Sequence, residues 1–262
     1  MALIQVNFVS QCLMRTVPIQ VILPVDQHPL DKTRKEEKPF KTLYLLHGIF
    51  GNHTDWVSNT RIQKWAESKG LAVVMPAGDN SFYLDYPESG NLYGEFVGRE
   101  LVEMTRRMFP LSRKREDTFI GGLSMGGYGA LRNGLKYHET FGHIAVLSGA
   151  LHIFENNTLG QIAKELSCFG DLEVSAKTDK NPRVLLEQLR QKRLADPKVD
   201  FPRIYLTCGT EDILYEANER YRQILESYDL DLTWEALPGA HNWAYWDTTI
   251  RKVLDWLPLE NE

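Results

Sequence analysis

The chain has 262 residues, of which 43% are hydrophobic and 25% are charged. That length and apolar content are enough for one large α/β domain with a buried core. The formal net charge of -5 argues against the basic surface that nucleic-acid binding requires, so we expect no nucleic-acid partner.

The cysteines and the N-terminal segment bound the compartment and the cofactors. Cys12, Cys168 and Cys208 are scattered and odd in number, and no CxxC or Cys/His cluster has zinc-binding spacing. We therefore expect no disulfide framework and no metal site. The N-terminal segment lacks the features of a signal peptide, and no run of about 18 apolar residues could span a membrane. These observations predict a cytoplasmic protein with no membrane partner, and they leave homo-oligomer formation open.

The first part of the chain predicts three kinds of element in order. IQVNFVS and VPIQVILP are extended segments, which predict two paired strands at a sheet edge. DQHPLDKTRKEEKPF is polar and Pro-bounded, which predicts an exposed loop. KTLYLLHG and LAVVMP are apolar runs typical of strands buried on both faces. Between these two runs, TRIQKWAESKG predicts a helix that ends at Gly70.

Helices and strands alternate through the rest of the chain. Helical patterns occur in GEFVGRELVEMTRRMF, GGYGALRNGLKYH, YEANERYRQILESYD and WDTTIRKVLDWL, and strand patterns in DTFIGG, FGHIAVLSGA, FPRIYLTCG and LTWEALPG. This alternation predicts an α/β fold with a mostly parallel central sheet of about eight strands, covered by helices on both faces. We expect a single domain over residues 1–262. Residues 152–202 break the alternation and are expected to form a cap- or lid-like insertion over one end of the sheet.

Ser124 is the first candidate catalytic residue. It lies in Gly122-Leu-Ser124-Met-Gly126, which matches G-x-S-x-G, and it stands between a predicted strand and a predicted helix. A nucleophile elbow has that context, because the tight turn exposes the serine Oγ and bulky neighbours would clash. The N-terminus of the helix also directs N–H groups towards a developing oxyanion. The alternative is a glycine-rich turn that only packs a helix against a strand.

A serine nucleophile needs a base, and the base needs an acid that orients it. With a G-x-S-x-G turn the chain order is Ser, then Asp or Glu, then His. Asp212 follows the predicted strand IYLTCG, and the adjacent Glu211 is its rival. His241 follows the predicted strand LTWEAL and is the only one of the seven histidines after Asp212, so it is the candidate base. Asp247 comes too soon after His241 to respect this order.

The oxyanion of the tetrahedral intermediate needs two backbone N–H donors. Met125, the residue after Ser124, is expected to supply one. The glycine-rich loop LLHGIFGNHTDW follows an early strand, and the N–H of Ile49 is its best donor. Chain order excludes His47 as the base, so we assign it a structural role.

Four motifs, YLLHGIFGNHTDW, GGLSMGGYGAL, CGTEDILYEAN and GAHNWAYWD, resemble those of the esterase D group of α/β-hydrolases. The resemblance covers most of the chain. It is greatest to bacterial tributyrin esterases and smaller to feruloyl esterases, S-formylglutathione hydrolases and mycolyltransferases. It implies the α/β-hydrolase fold, no cofactor, and the roles given above for Ser124, Asp212, His241, Ile49 and Met125. At His47 the first motif differs from S-formylglutathione hydrolases, and their cysteine-containing segment is absent, which argues against a glutathione thioester substrate.

Aromatic residues are frequent near the expected site. Phe50, Trp56, Tyr83 and Trp243 are candidates for the substrate pocket, with core packing as the alternative role. An aromatic pocket favours short or planar acyl groups such as acetyl, butyryl or cinnamoyl. The sequence thus predicts a serine carboxylesterase that hydrolyses small-molecule esters of short-chain or aromatic acids through an acyl-enzyme. A thioester hydrolase or an acyltransferase with the same triad is the alternative, and a non-catalytic binding protein on the same fold is a remote one.

Overall fold

The structure is a computed structural model that describes residues 1–26, 38–154 and 169–259. Most of the predicted loop at 26–40, residues 155–168 of the predicted insertion, and Cys168 lie outside the described residues. The strands of the described residues are β1 (Ala2–Ser10), β2 (Arg15–Leu23), β3 (Thr42–Leu46), β4 (Ala72–Pro76), β5 (Asp85–Tyr86), β6 (Asn91–Leu92), β7 (Thr118–Leu123), β8 (His143–Leu147), β9 (Arg203–Gly209) and β10 (Leu232–Leu237).

Eight of the strands in the described ranges form one central sheet, in the order β1-β2-β4-β3-β7-β8-β9-β10. β2 is antiparallel to both of its neighbours, and every pairing from β4 to β10 is parallel. β5 and β6 form a separate two-stranded hairpin. The mostly parallel sheet and the paired strands at its edge confirm the predictions from the sequence.

The helices of the described residues are α1 (Asp55–Asn59), α2 (Ile62–Ser68), α3 (Tyr93–Glu95), α4 (Leu101–Met108), α5 (Met125–Lys136), α6 (Leu172–Ser175), α7 (Pro182–Ala195), α8 (Tyr215–Glu226) and α9 (Trp243–Trp256). A π-helical turn, Phe96–Glu100, joins α3 to α4. α9 begins three residues before the predicted start. The side chain of Asn242 caps it by accepting a hydrogen bond from the backbone N–H of Tyr245 at 3.1 Å.

β3 shows why helices cover both faces of the sheet. Its side chains alternate in direction, and all of them are buried. Tyr44 and Leu46 lie in an apolar cluster that includes residues of α4, α5, α7 and α8. Leu43 and Leu45 lie in a second cluster with residues of α1, α2 and α9. These four β3 residues therefore alternate between two helical layers, which agrees with the predicted covering of both faces of the sheet.

The parallel strands also gather the candidate site. The loops that carry Ile49, Ser124, Asp212 and His241 follow the carboxyl ends of β3, β7, β9 and β10. In an open α/β sheet, ligands bind at this edge. The chain thus brings residues far apart in sequence to one end of the sheet.

His143 predicts how stability depends on pH. Its buried ring packs edge-to-face against Phe119 and Trp256, with ring centroids 5.1 and 5.4 Å away. Neither ring nitrogen has a hydrogen-bond partner among the described residues. Burial, together with the positive charges of Arg203 and Arg115, lowers the pKa of His143 to about 4.

The unfolded chain therefore binds more protons than the folded protein between about pH 6.5 and pH 4. We expect the free energy of unfolding to fall as the pH falls through that range, with up to about 3 kcal/mol due to His143. Urea denaturation at pH 7 and pH 4.5 measures this loss. His143→Leu should lose less stability than the unaltered protein, since the other histidines remain in both. An equal loss in the two proteins would contradict the assignment to His143.

Candidate active site

Ser124 occupies the one-residue turn between β7 and α5. Its φ of 53° and ψ of -117° lie in a region that L residues rarely adopt. Neighbouring backbone holds this conformation from both sides. The Ser124 N–H donates to the carbonyl oxygen of Leu147 at 2.9 Å, and its own carbonyl oxygen accepts from the N–H groups of Ala150 and Tyr128 at 3.0 and 3.1 Å. The strained turn of a nucleophile elbow is therefore present.

The glycines around Ser124 allow the turn to approach the end of β3. A Cβ added at Gly122 would lie 2.5 Å from the carbonyl oxygen of Gly126. A Cβ at Gly126 would lie 2.5 Å from the carbonyl oxygen of Leu46 and 2.6 Å from that of His47. These contacts are with backbone, which cannot move aside as a side chain can. The glycines thus hold the serine turn against the loop that follows β3.

Ser124, His241 and Asp212 form one hydrogen-bonded line. The distance from Ser124 Oγ to His241 Nε2 is 3.1 Å, and His241 Nδ1 lies 3.0 Å from each carboxylate oxygen of Asp212. The Asp212 side chain is completely buried, whereas a quarter of the His241 side chain is exposed. The candidate base is therefore partly open to solvent, and the candidate acid is shielded from water.

Asp212 is the residue of the acidic pair that reaches the histidine. Its Oδ1 accepts a hydrogen bond from the Leu214 N–H at 2.8 Å. Burial alone would raise the pKa of Asp212, but hydrogen bonds from His241 and Leu214 hold that pKa below its usual value. The carboxylate is therefore ionised at neutral pH. Glu211 is exposed to solvent, and Asp247 pairs instead with Arg61 at 2.6 Å.

The loop after β3 presents backbone N–H groups beside the serine. A Cβ at Gly48 would lie only 3.6 Å from Ser124 Cβ, so the Gly48–Ile49 segment borders the nucleophile. In the part of the chain that the structure describes, the N–H groups of Ile49 and Met125 donate no hydrogen bond to protein. Both are therefore available to an oxyanion.

His47 holds this loop in place. Its Nδ1–H donates to the carbonyl oxygen of Gly48 at 2.7 Å, and its Nε2 accepts from the N–H of Gly78 at 2.8 Å. Its own carbonyl oxygen accepts from the Tyr83 hydroxyl at 3.0 Å. Burial lowers the pKa of His47, so the ring is neutral at pH 7 and can keep this pairing. These contacts agree with the structural role expected from chain order.

The four aromatic candidates for the substrate pocket separate into two groups. Trp56 and Tyr83 are fully buried core residues, and the Trp56 indole donates to the carbonyl oxygen of Leu46 at 3.0 Å. Their burial leaves them no surface for a ligand, which corrects the prediction for these two. Phe50 is 81% exposed, and Trp243 is partly exposed while packing edge-to-face on Trp56. No pattern in the sequence separates these pairs, because in both of them the contacts come from segments distant in the chain.

No group of three or more His, Cys, Asp or Glu side chains in the described ranges is arranged to bind a metal ion. No helix in the same ranges is both long enough and apolar enough to cross a membrane.

A family model described as "Putative esterase" matches residues 10–257. The chain is 41% identical to the acetyl esterase of Caldicellulosiruptor saccharolyticus, over 98% of each chain. It is similar to the structure of an S-formylglutathione hydrolase from Staphylococcus aureus, with a TM-score of 0.82 and 32% identity over 98% of each chain. It is also similar to a substrate-bound fluorophosphonate-binding serine hydrolase from Staphylococcus aureus, with a TM-score of 0.79 and 31% identity over 98% of each chain.

The match to the esterase family covers far more than half of the chain, and the acetyl esterase covers nearly all of it. These findings agree with the sheet topology and with the resemblance noted in the four motifs. The chain belongs to the esterase family of α/β-hydrolases, and it is a serine carboxylesterase acting on small-molecule esters.

Proposed function

We propose that this esterase hydrolyses esters of short acyl groups, with acetyl esters as its best substrates, through an acyl-enzyme on Ser124. The observation that carries the proposal is the hydrogen-bonded line from Ser124 through His241 to the buried carboxylate of Asp212. It joins a nucleophile, a base and an orienting acid in the order that acyl transfer requires.

The acylation half-reaction uses each of these groups once. His241 Nε2 accepts the Ser124 proton while Oγ attacks the ester carbonyl carbon, and Asp212 stabilises the imidazolium that forms. The N–H groups of Ile49 and Met125 bind the oxyanion of the tetrahedral intermediate. When the intermediate collapses, the bond to the alcohol breaks, and His241 donates its proton to the departing oxygen.

Deacylation repeats these steps with water. His241 removes a proton from a water molecule, which attacks the acyl carbon, and the same two N–H groups bind the second oxyanion. Collapse then releases the carboxylic acid and returns the proton to Ser124. This chemistry needs neither a metal nor a cofactor.

The choice of a short acyl group rests on the relatives and on the corrected pocket. The relative that is 41% identical is an acetyl esterase, and the 32% identical structure is an S-formylglutathione hydrolase. Formyl and acetyl are the two smallest acyl groups. Because Trp56 and Tyr83 lie in the core, only Phe50 and Trp243 remain as aromatic candidates for the substrate pocket. This smaller aromatic surface weakens the case for planar aromatic acids as substrates.

A thioesterase acting on S-formylglutathione is the second candidate function. The difference at His47 argues against it, but the full-length likeness to the Staphylococcus aureus enzyme favours it. Both candidates use the same triad and oxyanion donors. They differ in whether the leaving group is an alcohol or a thiol.

Initial rates on p-nitrophenyl acetate, butyrate, octanoate and decanoate test the acyl preference, with methyl ferulate and S-formylglutathione alongside. We expect kcat/KM to be highest for the acetate and at least about tenfold lower for the octanoate. Each missing or surplus methylene changes binding by about 1 kcal/mol in a closed pocket. Best turnover of the decanoate would contradict a short acyl site. A kcat/KM for S-formylglutathione well above that for the acetate would favour the thioesterase.

Four expectations stay predictions from the sequence: the likeness to bacterial tributyrin esterases, a cytoplasmic location, the absence of a nucleic-acid partner, and a single domain with an insertion at 152–202. Homo-oligomer formation stays open.

A further inference from the structure

We infer that Ser148 and Trp246 are positioning residues of the triad, and that together they hold the Asp212 carboxylate and the His241 ring in their reactive arrangement. This inference rests on the proposed function of Ser124, His241 and Asp212. Neither residue was a candidate from the sequence.

Ser148 lies at the same edge of the sheet as the triad. It follows the last residue of β8, is completely buried, and has a φ of 47°, which L residues rarely adopt. Its N–H donates to the carbonyl oxygen of Thr207 on the neighbouring strand β9 at 2.8 Å. Strained and buried backbone of this kind persists only where the surroundings hold it, and it is frequent at functional sites.

The Ser148 hydroxyl connects Trp246 to Asp212. The indole Nε1–H of Trp246 donates to Ser148 Oγ at 3.2 Å. The same hydroxyl is also one of the side-chain groups that lower the pKa of Asp212, which places it beside that carboxylate. A hydroxyl that accepts from the indole keeps its own proton for the Asp212 carboxylate or the neighbouring Cys208 sulfur.

Trp246 also touches the base directly. Its ring packs edge-to-face against the His241 imidazole, with centroids 4.9 Å apart and an interplanar angle of 87°. The side chain is nearly fully buried and projects from the first turn of α9. One rigid indole therefore supports His241 by contact and Asp212 through Ser148.

Asp212 has other polar neighbours besides Ser148. The titratable groups that face the carboxylate are His241 itself, the Cys208 thiol on β9 and the Tyr245 phenol on α9. The Tyr245 hydroxyl is engaged with Thr207 at 2.6 Å, and burial raises the pKa of the Cys208 thiol, which keeps it neutral. The Leu214 N–H donates to the Asp212 carboxylate, and the Ser148 hydroxyl and the neutral Cys208 thiol are both side-chain neighbours that interact with it.

The test uses two variants, Ser148→Ala and Trp246→Phe. Trp246→Phe keeps an aromatic ring against His241 and removes the indole donor. Thr105→Val is the matched control, because Thr105 is a buried hydroxyl on α4 that bonds to Tyr44 at 2.8 Å, far from the triad. The readouts are the rate of labelling by a fluorophosphonate probe, its dependence on pH, and the melting temperature.

We expect each variant to label about 10- to 100-fold more slowly than the unaltered protein, the loss typical of one hydrogen bond to a charged group. The acidic limb of the rate–pH profile should move to higher pH, because the Asp212 carboxylate has lost a neighbour that lowers its pKa. The double variant should label no more slowly than Ser148→Ala alone, since the indole donor acts on Asp212 through that hydroxyl.

Variants that lose melting temperature as Thr105→Val does, while keeping the labelling rate and pH profile of the unaltered protein, would overturn the inference and leave the proposed function standing. Failure of the unaltered protein to be labelled at Ser124 would overturn the proposed function and the inference together. Because labelling needs no knowledge of the acyl group, a wrong choice of substrate affects neither result.

Discussion

Ser124→Ala is expected to lower kcat for p-nitrophenyl acetate by about 10⁶-fold, the loss seen when a serine hydrolase loses its nucleophile. No other hydroxyl can replace it, because the elbow alone sets Oγ at 3.1 Å from His241 Nε2 and beside the donors of the oxyanion hole. His241→Ala should cost about as much, and the double variant should be no worse than either single one, since the members of a triad act as a unit.

The acid of the triad has a matched control in its neighbour. Asp212→Asn should lower kcat by about 10⁴-fold, because the amide cannot stabilise the imidazolium and favours the wrong tautomer of His241. Glu211→Gln changes the same charge at an exposed position and should leave kcat within about twofold. Activity within about 100-fold of the unaltered protein in Ser124→Ala, or equal losses in the two acid variants, would contradict these roles.

Gly122→Ala is expected to prevent folding or to cost at least about 3 kcal/mol of unfolding free energy. The added Cβ would lie 2.5 Å from the carbonyl oxygen of Gly126 and 2.8 Å from that of Leu46. Both contacts are with backbone at the point where β7, the serine turn and the end of β3 meet. Relief requires the turn to move, so any folded variant should also have lost most of its activity.

Gly121 supplies the control within the same strand. A Cβ there would lie 3.2 Å from the Ala145 Cβ and 3.3 Å from the Ala145 carbonyl oxygen, contacts that a shift of a few tenths of an ångström relieves. We expect Gly121→Ala to cost about 1 kcal/mol and to keep its activity. Urea denaturation and initial rates on both variants measure the contrast. Similar stabilities for the two would show that close backbone approach is not the reason for glycine at 122.

The sheet and the chain order of the site were open to prediction from sequence because each has a local signal. Apolar runs such as the one in β3 require burial on both faces, and alternation with helices then requires a parallel sheet. Parallel strands bring their carboxyl ends to one edge, so a serine elbow, an acid and a histidine that each follow a strand are expected to meet there. The structure brings these three side chains within hydrogen-bond distance, and their chemical roles stay predictions.

The substrate pocket could not be predicted in the same way. Phe50 and Trp56 stand six residues apart, after the end of β3, yet Trp56 is buried and Phe50 is 81% exposed. Packing between α1 and α9 decides this difference, and neither helix signals the other in the sequence. The role inferred for Ser148 was hidden for the same reason, since its contacts come from Trp246, almost 100 residues later.

The most direct test of the central claim, that Ser124 carries the acyl group, is rapid mixing with p-nitrophenyl acetate followed by acid quenching and peptide mass mapping. We expect the peptide that contains Ser124 to gain one acetyl group, at up to one per chain and on the same time scale as any burst of p-nitrophenol. The adduct should be absent from Ser124→Ala. In the unaltered protein it should accumulate most under conditions in which deacylation is slower than acylation. An acetyl group found on another residue, with the Ser124 peptide unmodified throughout turnover, would contradict the claim.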